Sequence, residues 1–321
     1  MQPIAPPFRG HGETRRGRRE HDDDAVLVAP GLGLFAVADG SGASGAGREA
    51  SQLAIATLVA SFTADAAAHA EAPAFDALGL AAGARRLSRA VHAAHREVQG
   101  LHTDARPLGA TLVALYLEPE RGFVHVAHVG NCRAYRRRGR HLEALTDDHT
   151  LAREVLEAAP SAPLDAAPGT LTRAVGMAGD LRVTLRSHAL ASGDRFLLCS
   201  DGLNALLDEE QLAAALEQAM RPEALVRLLF EVAGAEAGDD NAAALVLDLD
   251  LLDEDALPGP PAAAAAARPW IRRAHPSVPL RPVRREDTQW HEAAGPGAGW
   301  EDDTEPSDDE PTDVDLDAHS P

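Results

Sequence analysis

Lysine is absent, and all 30 basic residues among the 321 are arginine. This reads as a coding bias and carries no chemistry of its own. Cysteine is scarce. The two present, Cys132 and Cys199, each lie inside an apolar run, which argues against a disulfide framework or a cysteine-rich zinc cluster and fits a reducing compartment. Aromatic residues make up 4% against 45% apolar, so the core must be built mainly from Ala, Leu and Val. No apolar run is long enough to span a bilayer, and the first residues lack the apolar stretch of a secretion signal. The expectation is a soluble cytoplasmic protein with no membrane partner. Positive charge is also short: 50 acids give a net charge of −20, which disfavours nucleic acid as a partner.

The charge is unevenly spread. Residues 258–285 hold six Arg and no acids, whereas 286–321 hold 13 acids and no Arg, leaving 37 acids and 24 Arg in 1–257. After Asp255 the chain turns to Pro, Ala and acids, too poor in aliphatic residues to offset chain entropy. Three segments follow: an irregular arm over 1–18, a folded domain over 19–255, and a disordered tail over 256–321. The three Trp of the protein (Trp270, Trp290 and Trp300) all lie in that tail. They read either as short motifs that dock a partner or as residues simply tolerated there.

Within the domain, apolar runs bounded by Gly, Pro or acids predict strands at Ala25–Val28, Leu34–Ala38, Thr111–Leu117, Phe123–Val129, Arg195–Cys199 and Ala242–Leu249. Helical spacing predicts helices over Gly47–Ala60, Phe75–Gln99, Asp208–Ala219 and Pro222–Ala233, with Asp208 as a cap and Pro222 in a first turn. Repeated strand–helix–strand units are missing, so sheets packed face to face with helices outside fit better than a parallel doubly wound sheet.

Acids sit at the ends of these strands. Asp39-Gly40 and Asp201-Gly202 end two of them, Asp240-Asn241 precedes another, and Asp22, Asp23 and Asp24 precede the first. Any one Asp-Gly pair is ordinarily a turn. Several carboxylates held at buried strand ends would instead make an oxygen-rich site for a hard cation such as Mg²⁺ or Mn²⁺. Gly40 leaves its carbonyl accessible as a further ligand.

Eight short blocks, in order, resemble the metal-dependent (PPM, type 2C) serine/threonine protein phosphatases. They begin with Arg19-Glu20-His21-Asp22-Asp23-Asp24-Ala25, then Val37-Ala38-Asp39-Gly40-Ser41-Gly42 with Gly47-Arg48-Glu49, and Gly109-Ala110-Thr111. Val129-Gly130-Asn131-Cys132-Arg133-Ala134-Tyr135 and Leu145-Thr146-Asp147-Asp148-His149-Thr150 follow. Leu171-Thr172-Arg173-Ala174-Val175-Gly176, Leu198-Cys199-Ser200-Asp201-Gly202-Leu203 and Gly238-Asp239-Asp240-Asn241 complete the series.

The resemblance implies an α+β fold, a four-layer αββα sandwich of two antiparallel sheets flanked by helices. It also implies two Mg²⁺ or Mn²⁺ ions at one end. Asp39 is then expected to bridge them, with the Gly40 carbonyl on one and Asp201 and Asp240 on the other. Asp23 and Asp24 would act mainly through metal-bound waters, and Arg19 would hold the substrate phosphate. The implied reaction is hydrolysis of phosphoserine and phosphothreonine on proteins, opposing a serine/threonine kinase. The catalytic set is Arg19, Asp24 and Asp39. Two cations bridged by a carboxylate can lower the pKa of a shared water, and Arg suits two phosphate oxygens at once.

Three departures stand out. Asn131 replaces an Asp that, in many bacterial members, helps hold a third ion; an amide offers one oxygen and no charge, so any third ion near Asn131 is expected to bind weakly. Cys132 beside it reads as a small buried residue. Ser41 and Ser44 stand where relatives often carry Met and His, so no leaving-group acid is evident; His149 is a weak candidate, more often structural. The stretch from Thr150 to Leu171 reads as a shortened flap. The alternative function is a phosphatase-like pseudoenzyme or regulatory phosphoprotein-binding module with weak turnover.

Overall fold

A computed structural model describes residues 8–249 apart from 78, 104–105 and 159–168. The expected tail over 256–321 lies outside the described residues, as does the first part of the expected arm. In chain order the strands are β1 (Phe8–Arg15), β2 (Asp24–Ala29), β3 (Leu34–Gly42), β4 (Leu108–Glu118), β5 (Phe123–Val129), β6 (Arg133–Arg138), β7 (His141–Ala144), β8 (Thr184–Ala189), β9 (Arg195–Cys199) and β10 (Ala242–Leu249). The helices are α1 (Ala46–Ala64), α2 (Ala66–Glu71), α3 (Ala82–Gln99), α4 (Leu151–Ala158), α5 (Asp201–Asn204), α6 (Glu209–Leu216) and α7 (Pro222–Ala233).

Every strand pairing is antiparallel. One sheet runs β2-β3-β4-β5-β8 and the other β1-β10-β9-β6-β7. Three apolar clusters fill the spaces between four layers. Between the sheets, Phe35, Val37 and Leu115 meet Phe196, Leu198 and Leu245. Outside the first sheet, Ala50, Leu58, Leu87 and Val91 of α1 and α3 pack on Ala36 and Leu112. Outside the second, Leu212, Leu216, Leu225 and Leu229 of α6 and α7 pack on Leu197 and Val246. This is the expected αββα sandwich. Each fully buried Leu or Phe contributes about 1.5–3 kcal/mol relative to exposure, so these layers hold the strand ends rigidly.

The local signals worked where side chains carried them. Asp208 accepts from the Gln211 backbone N–H, and Gln211 reaches back to close a capping box at the start of α6, while Pro222 opens α7. The strand over Phe123–Val129 has the expected bounds, as do those over Arg195–Cys199 and Ala242–Leu249. The helix expected over Phe75–Gln99 starts later, at Ala82.

The irregular arm expected over 1–18 is corrected for its described part. Residues 8–15 form β1, paired along its whole length with β10. Its polar sequence hides the strand because glycine stands at 10 and 12, alternating with Phe8. A Cβ on Gly10 would lie 2.9 Å from the Phe35 ring, so the inward face is filled by the opposite sheet. The Arg-rich β6 escaped notice for a related reason. Arg133, Arg136 and Arg138 are held by Asp148, Glu143 and Asp194, so charged residues are accommodated in the sheet. Among the described residues, no helix is long and apolar enough to cross a membrane.

Candidate metal centre

The acids come from both sheets. Asp24 opens β2, and its partner across the ladder on β3 is Asp39. Both are buried, 6% and 8% exposed, where a carboxylate needs compensation for lost hydration. On the other sheet, β9 ends at Cys199 and Asp201 starts α5 directly after it, while Asp240 precedes β10. Because β9 and β10 pair with Cys199 opposite Ala244, both acids leave the same end of that sheet.

Ser200 ties the two sheets together there. Fully buried, its hydroxyl donates to Asp24 Oδ2 at 2.9 Å and accepts the Ala243 N–H at 2.8 Å. Cys132 lies near three of these acids. Burial raises its pKa well above the ordinary thiol value, and the Asp39, Asp24 and Asp201 carboxylates add to that shift. The thiol also lies 3.0 Å from Thr111 Oγ1. Cys132 is therefore protonated and inert, as its sequence setting suggested.

Asp23 is held at the turn into α1. Its main-chain oxygen accepts the Gly40 N–H at 3.1 Å, and its Oδ1 accepts the Arg48 N–H at 3.1 Å, in the first turn of α1. The turn between β3 and α1 depends on two glycines in contact. A Cβ on Gly40 would overlap the Gly47 carbonyl, so only glycine lets the strand and helix approach this closely. Ser41 lies further along β3, opposite Gly109.

Arg19 is brought to Asp240. Its Nε stands 3.2 Å from Oδ1, and its Nη2 donates to Oδ2 at 3.3 Å, with the side chain 38% exposed. Asn131 is 5% exposed and donates from Nδ2 to Asp201 Oδ2 at 2.8 Å. That orientation is dictated by chemistry, because a carboxylate accepts and does not donate. Asn131 Oδ1 has no hydrogen-bond partner among the described residues.

Asp24, Asp39, Asp201 and Asp240 thus stand at strand ends, and Asp24, Asp201 and Asp240 each accept from a protein donor. Among the described residues, no group of three Asp, Glu, His or Cys side chains stands close enough to hold an ion unaided. Ser200, Asn131 and Arg19 each engage one of these carboxylates as a donor. The donor set itself suits a hard divalent cation. It consists of carboxylates with a nearby backbone carbonyl, and the adjacent thiol is held protonated.

His149 does not fit an acid role. Its Nδ1 accepts the Gly130 N–H at 3.1 Å, so its proton sits on Nε2, 2.8 Å from Thr184 Oγ1. Burial, followed by the charge of Arg173, lowers its pKa to about 4. It is a neutral structural residue that fixes Gly130 beside Asn131. Sequence reasoning missed Ser200 and the amide of Asn241 as organisers of the site. Their one signal was a small polar residue adjoining an acid at the end of an apolar strand.

The family described as Protein phosphatase 2C matches residues 9–232, which takes in Arg19 through Asp201 and stops short of Asp240. The serine/threonine protein phosphatase PstP of Mycobacterium tuberculosis is 31% identical over 237 residues, 72% of this chain. The chain spans only 43% of that relative's length. Two solved structures share the fold. The catalytic domain of PstP in complex with two manganese ions superposes with a TM-score of 0.63 at 27% identity, covering 76% of this chain and 99% of that one. The PPM Ser-Thr phosphatase MsPP from Mycobacterium smegmatis, in complex with cacodylate, gives 0.62 at 34% identity, covering 75% and 98%.

Proposed function

The chain belongs to the protein phosphatase 2C family, and we propose that it hydrolyses phosphoserine and phosphothreonine on proteins with two divalent cations. What supports this reading is that two acids from each sheet lie at strand ends on the side where Ser200 joins the sheets. Asp24 faces Asp39 across one ladder, and Asp201 and Asp240 leave one end of the other sheet, tied to Asp24 through Ser200. A relative of the same fold that holds two manganese ions supports the metal count.

Asp39, the Gly40 carbonyl, Asp201 and Asp240 would hold the two ions, with Asp39 serving both. Asp23 and Asp24 would support that set through hydrogen bonds at its edge. When bound, the ions supply an acidified water as nucleophile near neutral pH. Arg19 grips two oxygens of the substrate phosphate in its planar fork and balances their charge. Its pairing with Asp240 keeps the guanidinium at the carboxylate cluster until a phosphate competes for it. A third ion near Asn131 would have one neutral oxygen from that side chain and therefore bind weakly. The substrates are phosphoproteins of the cytoplasm, modified by a serine/threonine kinase.

The test is hydrolysis of a phosphothreonine peptide by the wild-type chain and by Asp201→Asn, in Mn²⁺ or Mg²⁺ and in chelator. Turnover that requires the metal and falls at least about 100-fold in the variant is expected, since metal ions supply several kcal/mol of transition-state stabilisation. Mn²⁺ binding with negligible wild-type turnover would favour the phosphatase-like binding module instead.

A further inference from the structure

Asn241 is 2% exposed and has a side-chain amide with an unusual workload. Its Oδ1 accepts the Asp23 N–H at 2.9 Å. Its Nδ2 donates twice, to the Arg16 carbonyl at 2.8 Å and to the His21 carbonyl at 2.9 Å. Its own N–H donates to Asp240 Oδ1 at 2.8 Å. Its carbonyl packs against Gly202, where a Cβ would overlap it. One residue therefore touches the Asp240 side chain, the turn after Asp201, and the loop leading into Asp24.

That loop explains the purpose. The chain is anchored at Arg16 and again at His21 by the same amide nitrogen, and Arg19 lies between the two anchors. A further bond, from the Arg18 N–H to the Gly238 carbonyl at 2.9 Å, holds the loop against the segment before Asp240. We propose that Asn241 is the positioning residue for Arg19: its amide closes the 16–21 loop and so fixes where the guanidinium meets a phosphate. This deepens the phosphatase reading and rests on it for the role of Arg19.

The chemistry required is narrow. The position needs two donors and one acceptor on a short side chain in a buried place. Aspartate has the right shape but would turn an oxygen toward two carbonyls. Leucine would leave two carbonyls and one N–H unsatisfied, each a costly loss. Asn241 touches no substrate in this account and acts only through the loop.

The experiment compares Asn241→Asp, Arg19→Ala and the double variant in steady-state hydrolysis of a phosphothreonine peptide, all in saturating Mn²⁺. Asn241→Asp is expected to raise KM by roughly tenfold or more, on the scale of a lost charge-assisted hydrogen bond, with a smaller fall in kcat. Added to Arg19→Ala, it should have little further effect on KM, because the group it positions is already gone. A merely structural role predicts full multiplication of the two KM effects, with losses that follow Tm, and that result would overturn the proposal. Should Asn241→Asp fail to fold, Asn241→Ser, which keeps one donor, takes its place in the cycle. Hydrogen exchange at amides 17–22 needs no turnover and is expected to quicken in the position-241 variant while α3 stays protected. Unchanged exchange in the loop would also overturn the proposal. A wild-type chain inactive in every metal would sink the phosphatase reading, and the exchange result would still decide whether Asn241 closes the loop.

Discussion

His128 and His149 lie with ring centroids 4.3 Å apart, beside the Gly130 turn that leads to Asn131. Burial lowers His128 to about 3, with His149 as the next cause, and lowers His149 to about 4, with Arg173 as the next cause. Both folded values lie below the ordinary imidazole value of 6.5. The unfolded chain therefore binds protons first. The stability tied to neutral imidazoles is complete above pH 6.5 and is lost as pH falls to about 4 for His149 and about 3 for His128. The expected outcome is a Tm that falls steeply over that interval, and a smaller fall in His128→Phe, which keeps a ring in the slot without the titration. Equal acid sensitivity of variant and wild type, measured by thermal melts across pH, would contradict this assignment. At the same scale, the acids were legible in the sequence because Asp-Gly at a strand end is a visible pattern. Ser200 was less so, because its role is defined by Asp24, 176 positions away. Asn241 was hidden likewise, since one of its partners lies 225 positions away.

Among the elements, those rich in aliphatic residues were readable and those built by pairing were not. β5, β9 and β10 carry apolar runs that end where the strands end. β1 has glycines where an apolar alternation would be expected, and β6 has arginines whose partners come from other segments. Such strands are specified by their neighbours, and their own residues give little sign of them. The β3–α1 turn belongs to the same scale. Gly40 and Gly47 let that strand and helix touch, which sets the Gly40 carbonyl and the Asp23 main chain beside Asp39. Gly40→Ala is expected to force the two elements apart. The measurement is Mn²⁺ affinity by calorimetry, with a loss of at least about tenfold expected if a coordinating backbone oxygen is displaced. Retained affinity would show that the contact does not shape the site.

For the molecule as a whole, the four layers set where the acids lie. Each sheet alone presents its carboxylates at one end, and the apolar cluster between the sheets stacks the two ends together. The fold followed from eight short blocks in the right order, whereas the side-chain partners of the carboxylates did not. Ser200, Asn131 and Arg19 engage Asp24, Asp201 and Asp240 through space, and only the packing of the sandwich reveals those pairs. The central claim is that carboxylates from both sheets share one pair of cations. A calorimetric titration of Mn²⁺ into the intact chain and into Asp39→Asn tests it most directly. The account predicts about two ions per wild-type chain and loss of both in the variant, because a carboxylate shared between the ions would be lost to each. Wild-type stoichiometry in Asp39→Asn, or no binding to the wild-type chain, would contradict it.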